Sequence, residues 1–252
     1  MRNYKLTISY DGSRYQGWQR QPDVTNTIQG ILESSIGEVV GYPVEVNGSG
    51  RTDGGVHAYA QMASVQIAGK VKEQVFRDHI NKKLPEDIRI RKVELVKNSF
   101  HARKNAVSKC YQYQIDTSEK GNVFQRKYCW KLPGTLDVKA MKEAAGYLVG
   151  RHDYLAFCDR KEEEGKSTVR TIYDIQIKKS GELLTITYLG SGFLYHMVRI
   201  LTGTLVEVGK GERKPEEMQT LFKDKARYEA GMLAPAEGLF LKEVYYEEKG
   251  ER

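Results

Sequence analysis

Strand-like and helix-like hydrophobic patterns occur together in both halves of this chain, and this mixture constrains the fold more than any single motif does. In the first half, residues 4–10 alternate polar and apolar side chains with a period of two, which predicts a strand. Residues 27–39 then place apolar side chains three or four positions apart, which predicts a helix with Thr25 or Asn26 as its N-cap. Since the second half shows the same kind of mixture, we expect an α+β fold rather than a doubly wound parallel sheet.

The other predicted elements follow the same two periodicities. Strands are predicted at residues 44–46, 62–67, 88–96, 111–115, 169–177, 183–188 and 239–246. Helices are predicted at residues 72–84, 138–148 and 195–208, with a short one from Pro215. Pro85 is expected to end the first of these helices, because the residue before a proline disfavours the helical conformation. The charged residues 161–166 predict a solvated, mobile loop.

The size and composition are those of an ordinary globular protein. The chain has 252 residues, of which 40% are hydrophobic and 29% charged, so it can form one large domain or two smaller ones. No apolar run is long enough to cross a bilayer, and the chain starts directly with a strand-like segment instead of a signal peptide, so we expect a cytoplasmic protein. Cys110, Cys129 and Cys158 form no CxxC pair and predict neither a disulfide framework nor a zinc site.

Positive charge is concentrated in the first part of the chain. The formal net charge is +7, yet residues 1–135 contain 21 Lys and Arg against 13 Asp and Glu, whereas residues 136–252 contain 19 against 20. A positive field confined to one region attracts polyanions, of which nucleic acids are the most common. Many soluble proteins are nevertheless mildly basic without such a partner, so the charge alone leaves nucleic-acid binding open.

One acidic residue, Asp53, lies within the glycine-rich segment 50–59, whose sequence is Gly-Arg-Thr-Asp-Gly-Gly-Val-His-Ala-Tyr. Gly54 and Gly55 allow a sharp turn with Asp53 at its apex, because residues without a Cβ adopt backbone angles that others resist. A neighbouring Arg51 would keep the carboxylate ionised, as a nucleophile or a base requires. The simpler interpretation is an Asx turn in which Asp53 bonds its own backbone, and the local pattern does not exclude it.

No signature of nucleotide, flavin or metal chemistry occurs in the sequence. It contains neither GxxxxGK[ST] nor GxGxxG, and neither HExxH nor GxSxG. The five histidines show no metal-ligand spacing. If the chain is an enzyme, we therefore expect it to act through side chains alone, without a cofactor or a metal.

Two further segments combine aromatic and basic residues. Residues 190–201 place two glycines before an aromatic-rich helix start, where Arg199 either projects from the first turns or lies along the apolar helix face. Residues 109–113 place Tyr111 and Tyr113 on one face of a strand, where aromatic side chains belong either to a core or to a surface that stacks on RNA bases. The residue pattern leaves both interpretations of each segment open.

Five motifs follow one another along the chain in a fixed order. They are Tyr10-Asp11-Gly12 with Tyr15, Gly17-Trp18-Gln19 and Gln21; Gly50 to Ala58; Phe100 to Arg103 with Tyr111-Gln112-Tyr113; Phe193 to Arg199; and Ala234 to Leu239. Together they resemble the transfer-RNA pseudouridine synthase A family over nearly the whole chain. That family usually has Ala at the position of Gly54, so the chain departs from the pattern beside Asp53 without changing the side chains around it.

The resemblance implies an activity and a role for each site residue. The activity is the isomerisation of uridine to pseudouridine at positions 38, 39 and 40 of the tRNA anticodon stem-loop, which is neutral overall and needs no cofactor. Asp53 would be the catalytic nucleophile or base, with Tyr111 stacked on the flipped uracil and Arg199 paired with the carboxylate. Arg51 would help to flip the target nucleotide or fill the space it leaves, and His57 would lie near the substrate.

The resemblance also implies a fold and an assembly. The family fold has two ferredoxin-like, RRM-like halves that form a joined antiparallel sheet with helices on one side and an active cleft between the halves. We expect residues 1–105 to form the half with the catalytic loop, and residues 106–252 to form the half with the Tyr111 strand and the Arg199 helix. The family acts as a homodimer with tRNA bridging the subunits, and no membrane is involved.

Two other functions are consistent with parts of the sequence. A binding module of the RNA-chaperone type would use the tyrosines and the basic region without chemistry, and Asp53 would then be dispensable. A hydrolase with an Asp nucleophile would act on sugars or phosphoesters. A glycosidase needs a second carboxylate, however, and a phosphotransferase needs magnesium ligands, and no candidate for either stands out.

Overall fold

The computed structural model describes residues 1–159, 167–224 and 226–246, and within these ranges the chain is a mixed α+β protein. Its strands are β1 (Arg2–Tyr10), β2 (Val46–Gly48), β3 (His57–Ile67), β4 (Ile88–Val96), β5 (Ser108–Asp116), β6 (Trp130–Lys131), β7 (Gly150–Asp153), β8 (Val169–Ser180), β9 (Leu183–Gly190) and β10 (Leu239–Tyr245). Its helices are α1 (Ile28–Val40), α2 (Glu73–Asn81), α3 (Val138–Leu148), α4 (Met197–Gly209) and α5 (Met218–Asp224).

The chain divides into two units, each with strands and helices of its own. Unit 1 consists of residues 1–107 and the segment that starts at Phe240, and unit 2 consists of residues 108–239. The loop predicted at residues 161–166 lies outside the described residues. None of the helices in the described ranges combines the length and the apolar composition that a membrane crossing requires.

Unit 1 is built on a sheet with the order β4-β1-β3, and both β2 and β10 pair with β3. β1 is antiparallel to both neighbours, with Leu6 opposite Ala63 of β3 and Val93 of β4. β2 is also antiparallel to β3, but β10 is parallel to it, with Phe240 opposite His57. The prediction of an antiparallel sheet is therefore wrong at β10. A tight hairpin forces two strands to be antiparallel, but a long connection separates β3 from β10 and allows the parallel direction.

The core of unit 1 follows from the periodicities in the sequence. Every second residue of β1 from Tyr4 to Tyr10 is buried, as the alternation predicts for a strand with one face on a core. In α1, the buried residues Ile28, Leu32 and Ile36 lie four positions apart and form a single apolar face. The predicted strand and helix are thus confirmed by the way each one buries its apolar side chains.

Two helix boundaries in unit 1 differ from the predicted ones. The N-cap of α1 is Thr27, neither Thr25 nor Asn26, because the Asn26 amide donates to the carbonyl oxygen of Arg14 instead. α2 ends at Asn81, three residues before the predicted end, where the Asn81 side chain is hydrogen-bonded to β4. Both differences involve partners outside the helix itself, 12 residues away for Asn26 and 9 residues away for Asn81.

The strands of unit 2 have the order β5-β9-β8-β7, with β6 beside β5. The β5–β6 pair is parallel and the other pairs are antiparallel, with Tyr111 opposite Tyr188 and Tyr113 opposite Ile186. α3 packs against α4 and β8. The short strands β6 and β7 were not predicted, because two and four residues are too few to establish a period.

The start of α4 is fixed by an unusual backbone conformation. The helix begins at Met197 rather than at the predicted Tyr195, because His196 adopts a φ of +62° in the left-handed region. The His196 ring stacks on Tyr195, and its Nδ1 lies 2.6 Å from a carboxylate oxygen of Asp159. The left-handed conformation is held by these contacts, which the local sequence does not reveal.

Candidate active site

The segment that carries Asp53 connects β2 to β3 in unit 1 and contains the predicted tight turn. The backbone N–H of Val56 donates to the carbonyl oxygen of Asp53 at 3.2 Å, which closes the turn. Gly55 adopts a φ of +81°, as the third residue of a type II turn requires, whereas Gly54 does not adopt a positive φ. The predicted turn is present, but the prediction that Asp53 lies at its apex is wrong. Asp53 is the first residue of the turn and Gly54 and Gly55 are its central residues, with the conformational requirement on Gly55.

Hydrogen bonds from β1 and from the segment 12–18 hold the backbone on both sides of Asp53. The Trp18 N–H donates to the Thr52 carbonyl oxygen at 3.0 Å, and the Gly55 N–H donates to the Tyr15 carbonyl oxygen at 3.3 Å. The buried Thr52 hydroxyl also bonds the Tyr10 phenol at 2.8 Å. The backbone next to the carboxylate is therefore fixed before any substrate arrives, as a preorganised site requires.

Two glycines let the segment 12–18 approach this loop closely. A Cβ at Gly12 would lie 2.0 Å from the Val56 carbonyl oxygen. A Cβ at Gly17, whose φ is +89°, would lie 2.6 Å from the Thr52 carbonyl oxygen. Because backbone atoms cannot move aside as a flexible side chain can, both positions require glycine.

We expect Gly17→Ala to lower the free energy of unfolding by about 2 kcal/mol or more, because it combines a left-handed Ala with a backbone clash. The matched control is Gly54→Ala. A Cβ at Gly54 would meet its nearest neighbour at 3.4 Å without a positive φ, so stability should change by less than about 1 kcal/mol. Urea unfolding of both variants measures the two effects, and equal losses would contradict the described packing of the loop.

A buried polar network supports the loop from β3. The Ser49 hydroxyl donates to Gln61 Oε1 at 2.7 Å, and Gln61 Nε2 donates to the Gly50 carbonyl oxygen at 3.1 Å. Burial raises the pKa of the Tyr10 phenol to about 12, against smaller opposing effects of Thr52 and Gln61. Tyr10 therefore stays a neutral hydroxyl at physiological pH and serves the loop as a hydrogen-bonding group.

Asp53 itself is half-buried, and Arg51 two residues earlier is exposed. Arg51 Nε donates to Gln19 Oε1 at 3.0 Å, so the guanidinium lies beside the segment 12–19 that also holds the loop. Gln19 belongs to the first of the five motifs, residues 10–21, which we call the opening motif. The sequence pattern suggested no contact between this motif and Arg51. The structure thus links the opening motif to the Asp53 segment through one side chain as well as through the backbone.

His57 is buried at the start of β3 and bonds the backbone of the opening motif. The Gly12 N–H donates to His57 Nδ1 at 3.0 Å, which assigns the ring proton to Nε2. An Asp11 oxygen also lies 3.2 Å from Nδ1, but an accepting Nδ1 excludes an ion pair through that atom. The ring stacks on Phe240 with centroids 4.7 Å apart, so His57 connects the loop to β10.

Tyr111 and Tyr113 are both buried in unit 2, where β5 places them two residues apart. The Tyr111 ring meets Phe193 edge-on with centroids 5.2 Å apart. The Tyr113 hydroxyl donates to the Pro235 carbonyl oxygen at 2.7 Å, and burial followed by the charge of Glu237 raises the pKa of this phenol far above its usual range. Tyr113 is therefore a neutral core residue, whereas Tyr111 packs against the edge of Phe193.

Arg199 lies in the first turn of α4 and is half-buried. Its Nε donates to the Ala234 carbonyl oxygen at 2.7 Å, while the Ala234 N–H donates to the Arg199 carbonyl oxygen at 3.3 Å. This pair of bonds attaches the start of the Ala234–Leu239 motif to α4. The fourth and fifth motifs of the sequence thus form one structural element.

The structure places Asp53, Arg51 and His57 in unit 1, and Tyr111 and Arg199 in unit 2. Gly12 and Thr52 belong to the motifs of the sequence, but their supporting roles were not predicted, and Gln61 was not named at all. Within residues 1–159, 167–224 and 226–246, no three His, Cys, Asp or Glu side chains are grouped to hold a metal ion. The chemistry that the described geometry offers is that of a carboxylate in a preorganised turn.

Comparison with known proteins adds information over the full length of the chain. A family model described as tRNA pseudouridine synthase matches residues 6–103 and 144–247. The chain is 44% identical over 246 residues to tRNA pseudouridine synthase A 2 of Bacillus cereus (strain ZK / E33L), a match that covers 98% of this chain and 100% of that protein.

Relatives from other genera show a similar degree of identity. The chain is 44% identical over 248 residues to tRNA pseudouridine synthase A 2 of Clostridium tetani (strain Massachusetts / E88), with 97% of this chain and 99% of the relative covered. It is 43% identical over 246 residues to tRNA pseudouridine synthase A of Brevibacillus brevis (strain 47 / JCM 6285 / NBRC 100599), with 98% and 100% covered. These matches include the Asp53 segment and the motifs of both units.

Proposed function

Since the chain belongs to the tRNA pseudouridine synthase family, and is therefore an isomerase that acts on uridine in tRNA, we propose that its targets are positions 38, 39 and 40 of the anticodon stem-loop. The choice of positions rests on the resemblance of the five motifs to the synthase A family. The observation that carries the catalytic assignment is the Asp53 turn, in which the half-buried Asp53 lies on a backbone that bonds to the segment 12–18 hold on both sides.

Asp53 acts on the target uridine as a nucleophile or a base. The reaction breaks the bond between C1′ and N1, turns the uracil and joins C1′ to C5; the C5 proton is lost and N1 gains a proton, so no net charge or electron is transferred. Attack of Asp53 on C1′, addition at C6 and removal of the C2′ proton all satisfy this balance. Each route needs the carboxylate at a fixed position, and the hydrogen-bonded backbone of the turn supports such a position.

The other site residues act on the flipped nucleotide. Tyr111 stacks on the uracil, and its edge-on contact with Phe193 supports a fixed ring plane for that role. Arg199 pairs with Asp53, and its bonds to Ala234 support a guanidinium of restricted orientation. Arg51 assists flipping or fills the vacated space.

We also propose the family's architecture and assembly for this chain. Residues 1–105 form one ferredoxin-like half and residues 106–252 form the other, except that the segment from Phe240 belongs to the first half, where β10 pairs with β3. A joined sheet with an active cleft between the halves completes the fold. The chain order β1-α1-β2-β3-α2-β4 and the sheet order β4-β1-β3-β2 in unit 1 support the first half of this proposal. A homodimer that tRNA bridges, in the cytoplasm, completes the assembly.

The test uses a set of tRNA transcripts that differ only in the anticodon arm. Three transcripts each carry uridine at one of positions 38, 39 and 40, and a fourth carries cytidine at all three. Purified protein should form pseudouridine in the first three, as mapped by mass spectrometry of nuclease fragments, and none in the fourth. Modification of the fourth transcript would refute the proposed positions while leaving the isomerase activity intact.

A further inference from the structure

The segment between β5 and β6 presents two adjacent apolar side chains to solvent. Phe124 is 87% exposed, more than any other large apolar residue in the described ranges, and Val123 is 62% exposed. All residues from 122 to 127 are exposed. A single exposed apolar residue is common, but two together with a polar rim indicate a surface that meets a partner.

This segment, residues 118–127, is a fixed structure that we call the Phe124 loop. Asp116 is buried, and one of its oxygens accepts from the Ser118 N–H at 3.0 Å and the Ser118 hydroxyl at 2.6 Å, while the other accepts from the Asn122 N–H at 2.9 Å. Burial opposes ionisation, but these bonds lower the pKa of Asp116. The Asn122 side chain in turn accepts from the Phe124 N–H at 3.0 Å, so the backbone of Phe124 is held in place.

Positive charge surrounds the exposed ring. The loop and the strand that follows it carry four cations, Lys120, Arg126, Lys127 and Lys131, against three anions in the same region, Glu119, Glu182 and the buried Asp116. The Arg126 guanidinium also donates to the Val123 carbonyl oxygen and so stiffens the loop. A depression of about 570 Å³ lined by residues 118–124 and Glu182 lies at this surface.

We propose that the Phe124 loop is a second RNA-contacting surface, on which the base of an unpaired tRNA nucleotide stacks on the Phe124 ring while the neighbouring lysines lie against backbone phosphates. The proposal rests on tRNA as the substrate and extends recognition to residues outside those assigned to the target uridine. Aromatic rings beside cations are how proteins bind single-stranded nucleotides, because every base offers a face for stacking.

Charge complementarity favours RNA over a second copy of this chain as the partner of the Phe124 loop. A second copy that met the loop through the same face would place two clusters with excess positive charge against each other, whereas an RNA backbone is uniformly negative. A homodimer formed through another face is not affected by this repulsion. The fixed backbone also lowers the conformational entropy lost when a base stacks on the ring. The second copy is therefore the alternative that the experiment must exclude.

The experiment measures tRNA affinity in the Asp53→Asn background, so that binding is read without turnover. Phe124→Ala should raise the Kd by about 5- to 20-fold, whereas Phe124→Tyr, which keeps the ring, should stay within about twofold. The matched control is Tyr228→Ala in unit 2. Tyr228 is 84% exposed but lies between Glu229 and an Arg227 bound to Asp159, so its removal should leave the Kd unchanged.

Salt dependence tests the lysines separately. Lys120→Gln should reduce the slope of log K against log salt by about 0.7 to 0.9, the value for one phosphate contact. Equal Kd values for Phe124→Ala and Tyr228→Ala would overturn the proposal. It would also be overturned if light scattering showed that Phe124→Ala converts a dimer into monomers while the Kd for tRNA stays the same. A third outcome separates the two proposals. If the Kd depends on Phe124 but the wild-type enzyme modifies uridines other than 38, 39 and 40, the proposed positions are refuted and the role of the Phe124 loop is kept.

Discussion

Pseudouridine formation by the Asp53→Asn variant should fall by at least about 10⁴-fold, because the substitution removes the only group assigned to attack or deprotonate the nucleotide. It changes little volume, and the backbone bonds of the turn do not involve the carboxylate, so the fold should be kept. The Kd for tRNA should stay within about threefold, since a negative charge beside a polyanion does not favour binding. Single-turnover assays and fluorescence anisotropy measure the two quantities.

Two further variants control this experiment. An Asn followed by Gly54 can hydrolyse slowly back to Asp, so Asp53→Ala should be tested beside it and should show the same loss. Asp23→Asn removes an exposed carboxylate elsewhere in unit 1 and should leave the rate unchanged. If Asp53 variants formed pseudouridine normally, the catalytic assignment would be refuted. Activity on glycosides or phosphate esters without RNA would instead favour the hydrolase interpretation.

Gly203→Ala should lower the free energy of unfolding by about 3 kcal/mol, the second large effect that we expect. A Cβ at Gly203, within α4, would lie 1.9 Å from the carbonyl oxygen of Met232. Because both are packed backbone, either α4 or the segment that leads to Ala234 must move. Arg199 holds that segment, so the substitution should also disturb the guanidinium assigned to the site.

The matched control is a second helical glycine in unit 2. Gly146 lies in α3, and a Cβ there would meet nothing within 4 Å. Gly146→Ala should raise the free energy of unfolding by about 0.5 to 1 kcal/mol, because Ala is the better helix former. Denaturant unfolding of the two variants should therefore show changes of opposite sign. A stabilising Gly203→Ala would mean that α4 is not packed against Met232 as described.

The elements that could be predicted from the sequence are those whose boundaries depend on the residues within the element. α3 begins and ends as predicted at Val138 and Leu148, and β4 spans the predicted residues 88–96. The start of α4 could not be predicted, because the left-handed His196 depends on Asp159, 37 residues earlier. The parallel direction of β10 depends on tertiary packing in the same way.

The candidate site shows the same division between local and distant causes. The turn at Asp53 could be predicted because the turn preference of Asp-Gly-Gly depends on residues that are at most four positions apart. The Tyr10–Thr52 bond could not, since its partners are 42 residues apart and meet only through the fold. For Tyr111 and Arg199, the residue pattern left two interpretations open, and the resemblance to the synthase A family supplied the one that we propose.

The position of β10 has a consequence for the synthesis of the protein. Phe240 of this strand stacks on His57 and on Tyr59, next to the Asp53 segment, and Tyr245 accepts a backbone bond from Val107. A ribosome reaches Phe240 only after it has translated residues 108–239, so unit 1 stays without its last strand while all of unit 2 emerges. Nascent chains should therefore become catalytically competent late, once translation has passed β10.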